Sequence, residues 1–190
     1  GGDDVEAEGG GTGNYGPFTG AHDCLIAIDD HVDFGDIMVD TRCVARNGWS
    51  NTIFVVTRSG HARQTNVIGV YVHTSGLLEQ QYTPNAINNN TTTINAEGDE
   101  VLAIGSVYQE VKFSHNLSII NALGEGQVNV CGEGGDIAQG DYITTSSMPG
   151  KGMRQDDDLV HNYTVAKARE AVTFSSPNEV KQVACIYVCG

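Results

Sequence analysis

Residues 141–168, DYITTSSMPGKGMRQDDDLVHNYTVAKA, crowd Ser146, Ser147, Lys167 and three consecutive aspartates into one stretch. Ser with Lys suggests a dyad in which a desolvated lysine loses its proton and serves as base to the hydroxyl. Asp156, Asp157 and Asp158 argue against it, because nearby carboxylates keep a lysine protonated. Lys167 also has an apparent counterpart in Arg58, which cannot act as a base. These residues therefore read as a Ser/Thr-rich strand end beside an ion-paired lysine. The triple Asp lacks the D-x-D-x-D-G alternation that converges carboxylates on one Ca²⁺, so it reads as a solvated acidic turn. The acidic run Asp29, Asp30, Asp33, Asp36 and Asp40 reads the same way. His22 and Cys24 share a strand face, but no C-x-x-C or H-x₃₋₅-H pair completes a zinc set, and no metal or other cofactor is expected. At the other end of the chain, GGDDVEAE offers carboxylate pairs able to share a proton, Asp3 with Glu6 or Asp4 with Glu8, an effect that a Gly-rich arm normally loses to solvent.

The elements that would position such groups are strands. The 190 residues carry 39% apolar and 18% charged residues, enough for a sizeable core, and 24 glycines imply many turns. A net charge of −14 argues against nucleic acid as a partner, since phosphate binding needs a basic face. No apolar run is long enough for a membrane-spanning helix. Cys24, Cys43, Cys131, Cys185 and Cys189 are irregularly spaced and lie mostly in apolar runs, as free buried thiols do. The opening GGDDVEAEGGGTG reads as an internal or processed start, not a signal peptide.

Residues 1–17 are expected to form a flexible Gly-rich acidic arm, and residues 18–190 one β-rich domain. Short runs rich in Val, Ile and Thr, bounded by Gly and Asp, predict an all-β fold throughout. An internal echo sharpens this. Val32-x-x-Gly35-Asp36 matches Ile137-x-x-Gly140-Asp141, Arg58 matches Lys167, and Val70-Tyr71-Val72 matches Ile186-Tyr187-Val188. Two related small β units are expected, at about 18–72 and 115–188, packed as one barrel-like body. Residues 73–114 would be a long inserted loop or hairpin between them.

Residues 121–170 carry L-G-E-G at 123–126, G-D-Y-I-T-T-S at 140–146, P-G-K-G-M at 149–153, Q-D-D-D at 155–158 and Y-T-V-A-K at 163–167. This series resembles the C-terminal intramolecular-chaperone, autoproteolytic-cleavage domain of phage and large-DNA-virus tail spikes, fibres and neck appendages. FTGAHDCLIAIDDHVDFGDIMVDT, residues 18–41, resembles the first half of the same family. The resemblance implies a homotrimer joined to an upstream fibre shaft of the same polypeptide, located in the virion or in host cytoplasm during assembly. It further implies at most a single-turnover self-cleaving peptidase, with Asp3 and Glu6 as the matching cleavage pair. The alternative is an uncut structural fibre or capsid-surface subunit without enzymatic activity.

Overall fold

The computed structural model describes residues 20–47, 51–77, 92–94, 100–102, 111 and 113–189. Twelve strands account for nearly all of its regular structure. They are β1 (Ala21–Ala27), β2 (Ile37–Asn47), β3 (Asn51–Arg58), β4 (Val67–Leu77), β5 (Thr92–Ile94), β6 (Glu100–Leu102), β7 (His115–Asn121), β8 (Leu123–Cys131), β9 (Tyr142–Thr145), β10 (Gly152–Arg154), β11 (Thr164–Ala168) and β12 (Val180–Val188). The chain is all-β, as the short runs rich in Val, Ile and Thr predict.

Ten of these strands close into two five-stranded barrels, ordered β1-β3-β2-β4-β7 and β10-β8-β12-β11-β9. Closure leaves neither barrel with an open edge, which removes the usual template for strand addition. The two-stranded antiparallel sheet β5–β6 lies in the insertion, outside both barrels. β7 pairs with β1 and β4, so residues 115–121 complete the first barrel and the second begins at Leu123.

The duplication extends to individual hydrogen bonds. In order of sequence, the strands of each barrel occupy the same places, and in each the first strand runs parallel to the third. Both Gly-Asp turns have glycine at positive φ, 93° at Gly35 and 99° at Gly140, which a residue with a Cβ adopts only under strain. Asp36 N–H bonds Asp33 O while its Oδ2 accepts Asp33 N–H at 3.2 Å. Asp141 and Ala138 repeat both contacts, the second at 2.9 Å. Gly35 N–H reaches Tyr71 O and Tyr71 N–H returns to Asp36 O; Gly140, Ala168 and Asp141 do the same. Ser59 N–H donates to Ile37 O as Gln155 N–H donates to Tyr142 O. Ala122 takes both roles at the joint: its N–H donates to Gly20 O, and its carbonyl accepts from Cys189 N–H.

These contacts correct two of the matched positions. Arg58, at the end of β3, corresponds to Arg154 at the end of β10, and Val70 in β4 corresponds to Lys167 in β11. β12 answers to β7, not to the run containing Val70. The third strand of the second barrel has only three residues, too few for a visible pattern, so the sequence alignment slipped by one strand.

Period-two burial fills the cores. Along β12, Val183, Cys185 and Tyr187 point inward between exposed or half-buried neighbours. Cys24, Ile26, Met38, Val56, Tyr71 and Ile120 form the first core. The second joins Val128, Val130, Ile143, Val165 and Val183 to Ile37 and Val70 of the first barrel. That shared core makes the barrels one body, since each large apolar side chain buried there contributes about 1.5–3 kcal/mol.

Candidate functional site

Asp3 and Glu6 lie outside the described residues. The Ser/Lys candidates are described, and they do not meet. Ser146 is fully buried, and its hydroxyl donates to Lys151 O at 2.7 Å, closing the turn that follows β9. Ser147 is exposed and donates to Glu133 at 2.6 Å. Lys167 points outward from β11, on the face opposite the buried Ala166 and Ala168. The Ser146 hydroxyl is spent on a backbone carbonyl and the Ser147 hydroxyl bonds a carboxylate, so neither is paired with Lys167 as the dyad requires.

The triple Asp staples a loop. Gln155, 4% exposed, donates from Nε2 to Asp157 Oδ1 at 2.8 Å and to Leu159 O at 2.6 Å. Its Oε1 accepts from the Thr164 hydroxyl at 2.8 Å. Asp157 also accepts from Leu159 N–H and sits 2.9 Å from His161 Nε2. The Leu159 N–H, then His161, hold the Asp157 carboxyl below the ordinary carboxylate range. Asp156 pairs with Arg63 of the first barrel. Among the described residues no three His, Cys, Asp or Glu side chains converge as a metal site, and the start of one at His22 and Cys24 stays incomplete. None of the five cysteines forms a disulfide with another.

The group that reasoning from sequence missed is Asp36. Its carboxylate is fully buried between the barrels, and one oxygen takes the Lys151 ammonium and the Asn129 amide, the latter at 2.8 Å. Asn129 Nδ2 also reaches Phe34 O at 3.0 Å. Asn129 N–H bonds Gly35 O, Gly150 O accepts from Ile37 N–H, and Gly150 N–H donates to Ser59 O. Gly150 must be glycine here: its φ is 73°, and a Cβ would lie 2.9 Å from the Asp36 carboxyl carbon. The two barrels are thus joined by backbone bonds laid around a buried ion pair. A buried carboxylate costs several kcal/mol to desolvate and is retained only when fully paired, as this one is. It ties the two barrels together. A visible signal existed in the Pro-Gly-Lys-Gly run, where one cation stands between two glycines.

An open groove of about 460 Å³ lies on the second barrel, lined by Gly140, Asp141, Tyr142, Arg154, Gln155 and the three aspartates. Large apolar side chains are exposed elsewhere. Leu123 and Ile186, 43% and 44% exposed, face outward on adjacent strands β8 and β12. Val188 stands directly opposite Leu123 and extends that patch.

The fold and these contacts define a class, a tandem-duplicated β-barrel protein whose described polar groups serve structure. Comparison with known proteins found no matching family model and no matching characterised relative.

Proposed function

We propose that this chain is an assembly module of a virion tail fibre or appendage, acting as a homotrimer in the manner of an intramolecular chaperone. The observation that carries this reading is the sequence series at 121–170, which runs through four of the five strands of one closed barrel, β8 through β11. Its most distinctive residues hold that barrel together: Ser146 closes a turn, Gln155 staples a loop, and Lys151 locks the barrel to its twin. A module whose marked residues are structural suits assembly better than turnover. The outward Leu123, Ile186 and Val188 offer an apolar strip for contact between subunits.

Bringing three chains into register before a long shaft winds is an entropic task that a compact, prefolded end unit performs. Self-cleavage at the N-terminal edge would then release the module, with Asp3 and Glu6 as its carboxylate pair. Mass spectrometry of the full-length product tests this. The cut is expected near residue 1 and is expected to disappear in Asp3→Ala/Glu6→Ala. Normal cutting in that double variant would remove both residues from the mechanism. The second reading, an uncut structural subunit, draws on the shared core and the buried Asp36–Lys151 pair, which suit a body that persists in the particle. It requires these residues in purified particles in stoichiometric amount.

A further inference from the structure

We infer that the groove on the second barrel is a docking site for a lysine carried directly after glycine on a tight turn of a partner protein. The duplication supplies the argument, which does not depend on the virion reading. In the first barrel, Asp36, Ile37 and Ser59 receive Gly150 and Lys151, and the adjacent Gly35 receives Asn129 of the same neighbouring barrel. Their counterparts in the second barrel are Gly140, Asp141, Tyr142 and Gln155, and all four line the groove. The first barrel therefore displays the occupied form of the site that the second leaves open.

The open atoms correspond as well. Asp36 uses Oδ2 for its own turn and Oδ1 for Asn129 and Lys151. Asp141 uses Oδ2 for its own turn, and no described residue bonds its Oδ1. Tyr142 accepts from Gln155 N–H, so its own N–H points to the same side, where Ile37 N–H meets the Gly150 carbonyl. The walls carry four aspartates against Arg154, although Asp156 is shared with Arg63 and Asp157 with His161. Lys167 is exposed beside Gly140 and leaves the field less negative at that rim.

Tyr142 and Lys167 replace the fully buried Ile37 and Val70, so this platform is polar where the first is apolar. That change suits a partner that comes and goes. A second copy of this chain does not qualify, because its one Gly-Lys-Gly turn is already committed to Asp36. Glycine before the lysine is required for the same reason as at Gly150, where a Cβ would meet the carboxylate.

The test is a titration of the isotope-labelled full chain with the peptide SMPGKGMR, which copies residues 147–154. Amide shifts are expected at Gly140, Asp141, Tyr142 and Gln155. Norleucine in place of the peptide lysine, alanine in place of the glycine before it, or Asp141→Asn in the protein should each weaken binding about tenfold or more, the equivalent of one charge-assisted hydrogen bond. Asp158→Asn, which lowers the charge without touching Asp141, should leave most of the affinity. Absence of these shifts at millimolar peptide would overturn the proposal. So would shifts confined to the three aspartates that persist in Asp141→Asn, which would mark diffuse attraction of a cation.

Discussion

Lys151 and Asp36, 115 residues apart in sequence, meet as a buried ion pair between the two barrels. Asp36 is fully buried and Lys151 nearly so, with side-chain exposures of 0% and 13%. The pair ties a turn of the first barrel to a turn of the second. The backbone bonds of Gly150 to Ile37 and Ser59 flank it.

Removing one partner of that pair should cost more than removing both. Lys151→Met leaves Asp36 charged and buried, and should lower stability by about 3–5 kcal/mol. Asp36→Leu/Lys151→Met, which replaces both charges with apolar side chains, should recover much of that loss. Urea denaturation of the two variants makes the comparison. Equal loss in both would mean that the charges contribute little to the junction.

Asp157 gives a pH dependence of definite sign. Its carboxyl is held below its ordinary value of 3.8, first by the Leu159 N–H and then by His161. A group with a depressed folded value contributes stability that is complete above its unfolded value and is lost as pH falls through the folded one. The wild-type chain should therefore lose stability below about pH 4 more steeply than Asp157→Asn. Thermal melts of both proteins between pH 5 and the acid limit, at about half-unit steps, read the difference directly.

Three of the thiols, those of Cys24, Cys185 and Cys189, should be inert while the chain is folded. Burial pushes Cys24, Cys185 and Cys189 up to about 12, so almost no thiolate exists at neutral pH. Iodoacetamide at pH 8 should leave these three unmodified in the native protein and alkylate them in denaturant. Rapid native labelling of Cys185, mapped by peptide mass, would contradict the packing of the second core.

Ser146→Ala and Lys167→Ala separate structure from chemistry. Ser146 donates to a carbonyl inside a turn, and its loss should cost about 0.5–1.5 kcal/mol. Lys167 is exposed, and its loss should change stability by less than about 0.5 kcal/mol. Neither variant should alter any cleavage of the full-length chain. Loss of cleavage in both at unchanged stability would restore the dyad.

How far the sequence led depends on how local each signal was. The strands and the Gly-Asp turns were legible because alternation and positive-φ glycine act over a few residues, as at Gly35 and Gly140. The correspondence of Arg58 was misjudged because β10 is three residues long and holds its place through pairing with β8 and β9, not through its own pattern. Asp36 and Asp141 look alike in sequence, each after glycine and each bonding its own turn. Only the packing of one barrel on the other buries the first and leaves the second facing a groove. The acidic loop reads in sequence as a solvated turn, and nothing in it foretells the staple that Gln155 makes of it, because those contacts run through Leu159 O and Thr164.

The central claim, an assembly module that works as a homotrimer, is tested most directly by the native mass of the chain in solution. The account predicts a species three times the 20.2 kDa of one chain, reduced to single chains by Leu123→Asp/Ile186→Asp with the fold intact by circular dichroism. A monomer at every concentration, or a trimer indifferent to that double substitution, would contradict the trimer or the surface assigned to it.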